Sequence, residues 1–114
     1  MKYKLVFAIV FSVWSMNANA GGWITDDGTA VIQFVNTENS IVRIHYTSET
    51  SKNPDGCQNT TSLILKSDNP MFDQHYSLLL SAFMANKKIK VYGNGCYSAW
   101  GSTYPVISAI YAYK

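Results

Sequence analysis

Few side chains in this sequence could act as an acid, a base or a nucleophile, and their spacing forms no catalytic motif. Two histidines and a lysine could in principle form a general acid–base set. His75, however, follows Asp73 by two residues in a predicted helix, and side chains at that spacing do not face each other. His45 and Arg43 lie on the same face of a predicted strand, and we expect that face to meet solvent. These residues and Lys90 are therefore interpreted as surface side chains, and the chain is predicted not to be an enzyme.

The acidic residues do not form a metal-binding pattern either. Asp26 and Asp27 are adjacent, whereas a calcium loop of the EF-hand type spaces its ligands at alternate positions. The segment Asp26-Asp27-Gly28 is instead typical of a tight hairpin turn. The sequence also lacks a glycine-rich phosphate loop and the His-Glu-x-x-His pair of zinc proteases. We therefore predict that the protein uses no metal and no cofactor.

The two cysteines, Cys57 and Cys96, are predicted to form one disulfide. A metal pair or a reactive thiol is the alternative, but it would favour Cys-x-x-Cys spacing or a neighbouring histidine, and the sequence has neither. Closing a loop of this length stabilises a protein by about 4 kcal/mol in the chain-entropy model. That would be a large share of the net stability of so small a domain.

Aromatic side chains are the more informative candidates for a binding site. Tyr97, Trp100 and Tyr104 stand among serine, glycine and threonine residues, and the segment from Tyr97 to Thr103 is predicted to be a loop. Rigid rings with small polar neighbours provide contact area at low entropic cost, as in antibody paratopes. An amphipathic ring can also cover the apolar face of a sugar. We predict that these three aromatic residues bind a ligand; the alternative is that Trp100 only covers one end of the fold.

The N-terminal residues have the three parts of a secretory signal peptide. Lys2 and Lys4 form a positive region, Leu5 to Trp14 an apolar run, and Ala18-Asn19-Ala20 a small-x-small cleavage site. A membrane anchor is the alternative, but a spanning helix needs roughly 20 apolar residues and this run is much shorter. We predict cleavage after Ala20, with residues 1–20 removed and the protein exported.

The charge of the processed chain argues against a nucleic-acid partner. The sequence has nine lysines and arginines and seven acidic residues; two of the nine, Lys2 and Lys4, lie in the signal, which leaves seven against seven. A chain without net charge lacks the basic surface that attracts phosphates. Lys87 and Lys88 are interpreted as cations that complement the end of a helix. We predict no nucleic-acid partner and no membrane span in the mature form.

The hydrophobic pattern predicts one β-rich domain over residues 21–114, in the order β-β-β-β-α-β-β. The helix has Asn69 as its N-cap, Pro70 in its first turn and Asn86 as its C-cap. Its apolar stripe consists of Phe72, Tyr76, Leu79, Leu80, Phe83 and Met84. The fold class is α+β, a small and mostly antiparallel β-barrel or curved sheet with one helix and one disulfide. The predicted strands are Gly22–Thr25, Thr29–Val35, Ser40–Thr47, Thr61–Lys66, Ile89–Tyr92 and Tyr104–Tyr113.

The C-terminal half resembles a group of small secreted proteins of marine and enteric gammaproteobacteria. The resemblance lies in the run from Tyr76 to Tyr92, then Gly95-Cys96, then Tyr104 to Ile110; the N-terminal half matches only in a hairpin that opens with Gly-Gly-Trp and in an upstream cysteine. The element order and the paired cysteines are also similar to the B subunits of bacterial ring-forming toxins. This second resemblance implies an OB-like barrel with one helix. It implies no ligand residues, since no sugar-binding motif of those subunits can be placed on this sequence.

These observations favour a non-enzymatic binding module, secreted or periplasmic, that recognises a glycan or a protein in the manner of a toxin B subunit. A homo-oligomer is one possible assembly of this module. The alternative function is an inhibitor of a hydrolase such as lysozyme, a class that shares small size and a disulfide. A third hypothesis, a small secreted nuclease, would depend on His45 or His75.

Overall fold

The computed structural model describes residues 21–113, which contain five strands and one helix. The predicted signal peptide, residues 1–20, lies outside the described residues. Between residues 21 and 113, no helix is long and apolar enough to cross a membrane. The elements, in chain order, are β1 (Gly22–Glu38), β2 (Ile41–Thr47), β3 (Ser62–Lys66), α1 (Phe72–Met84), β4 (Lys88–Ala99) and β5 (Ser102–Ala112).

The five strands close into a barrel in the order β1-β2-β3-β5-β4. All neighbouring strands are antiparallel except β3 and β5, which run parallel where Ile64 faces Val106. The helix lies in the connection that carries the chain from β3 to β4, and β5 then returns between them. The predicted fold class is confirmed: an α+β, mostly antiparallel, OB-like barrel with one helix and one disulfide.

The two strands predicted at the start of the domain are one long strand, so the prediction of six strands was wrong by one. No hairpin forms at Asp26-Asp27-Gly28, because β1 continues through it and pairs first with β4 and then with β2. The pairing with β4 shifts register between Thr25 and Ala30, and Gly28 has a φ of 74°, which glycine adopts without steric cost. The segment therefore interrupts the pairing within one strand and does not reverse the chain.

The barrel interior is filled by aliphatic side chains. In β2 the residues Val42, Ile44 and Tyr46 are buried in the main core, as the alternating pattern predicted. The helix adds Leu79 and Ala82 to the same core. The remaining buried members of this core are Ile24, Ala30, Ile32, Leu63, Leu65, Ile89, Val91, Ile107 and Ile110.

The helix packs against β1, β3 and β5 with a narrower apolar face than predicted. The predicted apolar stripe includes Met84, but 80% of this residue is exposed, so that prediction is wrong. The reason is angular: Met84 follows the buried Leu79 by five residues, which puts it about 140° around the helix. Phe72, Tyr76 and Phe83 are half-buried at the edge of the core.

The helix termini differ in detail from the predicted caps. Asn69 lies two residues before the N-cap, Met71, and its side-chain oxygen accepts a hydrogen bond from the Met71 amide at 2.9 Å. At the other end Asn86 has a φ of 52°, and the Lys87 amide donates to the Ala82 carbonyl at 2.8 Å. This left-handed ending is of the Schellman type and satisfies carbonyls that the last turn would leave unpaired.

The predicted disulfide is confirmed, and it joins the loop between β2 and β3 to β4. Cys57 and Cys96 are 39 residues apart in sequence, and their Cα atoms are 5.7 Å apart. Asn53 stabilises the loop that presents Cys57: its amide group donates to the Cys57 carbonyl at 2.6 Å, and its side-chain oxygen accepts from the Cys57 amide at 2.8 Å. The disulfide therefore links the loop between β2 and β3, the longest loop of the domain, to β4.

Candidate functional site

The segment predicted to be an aromatic loop is the end of a β-hairpin. Tyr97 and Tyr104 face each other across β4 and β5, and the reversal itself is only two residues long, Trp100 and Gly101. Both have positive φ angles, 47° and 72°, the conformation of the tightest hairpin turns. A bulky residue is uncommon in this region of backbone space, so Trp100 is held there at a cost in strain.

The three aromatic residues predicted to bind a ligand meet at this hairpin but have different exposure. Tyr104 is only 5% exposed and packs with Ile41 and Ile64 in a small cluster separate from the main core. Tyr97 is half-buried against the same cluster. Trp100 is 46% exposed, and its ring meets that of Tyr104 edge to face, with centroids 5.7 Å apart. The hairpin therefore presents the Trp100 ring to solvent and uses Tyr104 as its support.

Arg43 completes the support of Trp100, and sequence reasoning had treated it only as a surface residue. The guanidinium carbon lies 5.0 Å from the Trp100 ring centroid and 5.5 Å from that of Tyr104. These are cation–π distances, so Arg43 holds the indole from β2, a strand that pairs with neither strand of the hairpin. Among residues 21–113, no carboxylate forms a salt bridge with Arg43, whose Nε makes only a long hydrogen bond of 3.4 Å to the Ser62 hydroxyl. Its charge is therefore available to a ligand.

A second exposed ring extends this surface along β1 and β2. Phe34 is 41% exposed and stacks on the His45 ring, with centroids 5.0 Å apart and planes 3° from parallel. The Arg43 guanidinium carbon lies 5.9 Å from the Phe34 ring centroid, so the arginine contacts both exposed rings. We call Phe34, Arg43, His45 and Trp100 the aromatic surface.

Beside Trp100 lies an open depression of about 430 Å³ with hydroxyl and amide groups on its walls. The loop after the disulfide forms one side of it, because the Gln58 amide donates to the Thr103 hydroxyl at 2.8 Å and the Asn59 amide donates to the Thr103 carbonyl at 2.9 Å. The disulfide thus fixes a polar wall next to the exposed indole. The depression is lined by Gln58, Ser98, Ala99, Trp100, Gly101, Ser102 and Thr103.

The residues considered for acid–base chemistry are spread over three elements, with His45 on β2, Asp73 and His75 on α1, and Lys90 on β4. His45 is stacked on Phe34, and the Lys90 ammonium lies 4.9 Å from the Tyr113 ring centroid. Asp73 and His75 are both on α1. In the part of the chain that the structure describes, no three histidine, cysteine or acidic residues are grouped to hold a metal ion.

The site consists of a rigid exposed ring, a second ring, a guanidinium group in contact with both and a polar wall. Such a set can cover an apolar face of a ligand, donate to an anionic group and hydrogen-bond to hydroxyls. Sequence reasoning found Trp100 from its small polar neighbours but missed Phe34, for which the only signal was an aromatic residue in a strand. Comparison with protein-family models, with curated proteins and with solved structures finds no match to this chain.

Proposed function

We propose that this protein is a secreted or periplasmic binding module without enzymatic activity, and that it recognises a glycan through the aromatic surface. One observation carries the proposal: an exposed tryptophan in a strained turn is held in place by Arg43, which forms no salt bridge within residues 21–113. Strain of this kind persists only where the surrounding structure enforces it, and it clusters at ligand-binding sites. Export is supported by the predicted signal peptide and by a disulfide, which forms in oxidising compartments.

The chemistry of the site suits a sugar. The exposed face of the Trp100 ring can cover the C–H face of a pyranose, while the neighbouring hydroxyls of Ser98, Ser102 and Thr103 can bond to the sugar hydroxyls. Little entropy is lost on binding, because Arg43 and Tyr104 already contact the indole. Since all of these groups stand on strands or on a two-residue turn, they are positioned before the ligand arrives.

The position of the surface on the barrel supports the same conclusion. OB-type barrels bind oligosaccharides and oligonucleotides on the face of their second and third strands and on the loops that join strands one to two and four to five. Here Arg43 and His45 lie on β2, and Trp100 lies in the turn between β4 and β5. The processed chain carries no net charge, so a saccharide is favoured over a nucleic acid.

The guanidinium group of Arg43 favours glycans that carry a negative charge. Its guanidinium has five N–H donors in a planar fork that matches a carboxylate or a sulfate, and no salt bridge within residues 21–113 occupies it. We therefore expect the preferred glycans to bear a negatively charged group beside a ring that stacks on Trp100.

A glycan array probed with residues 21–114 tests the proposal. The key variant is Trp100→Asn, because asparagine tolerates the left-handed backbone that the turn requires. We expect it to bind the best glycan about tenfold more weakly or worse, because Trp100 is the aromatic side chain that a bound ligand would cover. Arg43→Gln should lose the preference for charged over neutral glycans.

Tyr111→Ala is the matched control, since Tyr111 is similarly exposed but packs with Trp23, away from the aromatic surface. It should bind as the unmodified protein does. If no glycan on the array binds the protein, or if Trp100→Asn binds as strongly as the unmodified protein, the proposal of a glycan ligand is wrong. A one-to-one complex with lysozyme under those conditions would instead support the inhibitor hypothesis.

A further inference from the structure

The carboxylate of Asp55 connects the start of the domain to the disulfide-bonded strand. One of its oxygens accepts a hydrogen bond from the Gly21 nitrogen at 3.3 Å, and the other accepts from the Gly95 amide at 2.7 Å. Gly95 precedes Cys96, and Asp55 lies two residues before Cys57, so this polar contact sits directly beside the disulfide. The Asp55 side chain thereby joins Gly21 and Gly95, which lie 34 and 40 positions from Asp55 in the sequence.

The Gly21 nitrogen is placed there by a slot that admits only glycine. Gly21 has a φ of 69°, and a Cβ atom on it would lie 2.5 Å from the Gly93 carbonyl oxygen. A Cβ atom on Gly22 would lie 2.8 Å from the Cβ of Pro54. Real Cβ atoms are not found this close to other atoms, so two consecutive residues must both be glycine for the chain to pass between the Pro54 loop and β4.

We infer that Asp55 is the intramolecular binding site for the α-ammonium group that forms at Gly21 when the chain is cut after Ala20. Hydrolysis adds one water across the Ala20–Gly21 amide bond and leaves a carboxylate on Ala20 and an amine on Gly21. That amine is largely protonated at neutral pH. The nitrogen that donated one neutral hydrogen bond then carries a positive charge and three donors, 3.3 Å from a carboxylate oxygen.

Processing thus strengthens a contact that the precursor makes only weakly. Hydrogen bonds between charged partners are shorter and about twice as strong as neutral ones. The mature chain gains a second link, next to the disulfide, between its first residue and β4. The inference rests on the predicted cleavage site and not on the glycan, so the two proposals stand or fall separately.

Two forms of the oxidised protein test the inference, one that begins at Gly21 and one that retains Ala20 and so moves the charge by one residue. We expect the Gly21 form to unfold at a melting temperature roughly 4–8 °C higher, the shift that a contact of ordinary charge-assisted strength produces in a domain of this size. Asp55→Asn should lower the melting temperature of the Gly21 form and remove the difference between the two forms.

Asp73→Asn is the control, because it removes one carboxylate from α1 without touching the slot. It should shift both forms equally and preserve their difference. An aminopeptidase gives an independent readout: Gly21 should be released at least tenfold more slowly from the unmodified protein than from Asp55→Asn. Equal melting temperatures of the two forms, or equal release of Gly21, would overturn the inference. If Asp55→Asn does not fold, the comparison of the two unmodified forms decides alone.

Discussion

Trp100 is the residue at which local preference and tertiary structure disagree most clearly. Its backbone suits glycine or asparagine, and its side chain, were it to follow general burial trends, would be inside. Arg43 and Tyr104 stabilise the indole at the surface with contacts worth about 0.5–1.5 kcal/mol each. A turn that needed only to reverse the chain would not require them, which is why we propose a role in recognition for Trp100.

The fold lowers the pKa of the Asp27 carboxyl through hydrogen bonds from two threonines. The Thr50 hydroxyl, the Thr29 hydroxyl and the Thr29 amide all donate to its carboxylate and lower its pKa from the ordinary 3.8 to about 2. A pKa that is lower in the folded state contributes stability above the unfolded value, and this contribution is lost as the pH falls from about 4 to about 2. Asp27→Asn should therefore be less stable than the unmodified protein at pH 6 and equally stable at pH 2.

Urea unfolding at the two pH values measures this difference, which will be small because Asp27 is exposed. Thr50→Val is the companion variant, since it removes the largest contribution to the lowered pKa. It should change the stability in the same direction over the same pH range. A deficit of Asp27→Asn that is as large at pH 2 as at pH 6 would mean that the carboxylate charge is not responsible.

At the scale of elements, α1 is attached to the barrel through a small part of its surface. Leu79 is fully buried, whereas Met84, in the same helix and of similar size, is 80% exposed. Leu79→Ala should reduce the free energy of unfolding by about 3 kcal/mol, because it removes buried methyl groups and leaves a cavity. Met84→Ala should change it by less than about 0.5 kcal/mol.

Equilibrium denaturation in guanidinium chloride, followed by circular dichroism, gives both values. The pair is matched, since each substitution places alanine in one helix and changes its propensity by a similar amount. Comparable losses from the two variants would show that α1 does not dock on the barrel through Leu79.

At the scale of the whole molecule, the disulfide adds a covalent link to a barrel that is otherwise closed by strand pairing. The barrel is small, and Cys57–Cys96 ties its longest loop to β4 beside the hairpin that carries Trp100. Replacing both cysteines by serine should lower the free energy of unfolding by about 4 kcal/mol in the chain-entropy model. Urea unfolding of the oxidised protein and of the double variant provides the measurement, and equal midpoints would contradict the prediction.

Much of the architecture could be read from local patterns. The single pairing open to two cysteines, the alternation of β2 and the helix after Pro70 all follow from residue types within short windows, and the structure confirms each of them. Cleavage after Ala20 stays a prediction that the sequence alone supports. Of the candidate site, only the hairpin aromatics could be predicted, because small polar neighbours mark Trp100 as exposed.

Only the tertiary structure determined which strands pair and which side chains become neighbours. The Asp-Gly segment favours a hairpin locally, but β1 finds partners on both sides, β4 for its first half and β2 for its second, and these pairings keep it one strand. In the same way Phe34 and Arg43 lie on the paired strands β1 and β2, but Trp100 lies far along the chain and meets Arg43 only because the barrel closes. Periodicity along a strand tells which face a side chain takes, but not which strand will be its neighbour, since that depends on long-range pairing.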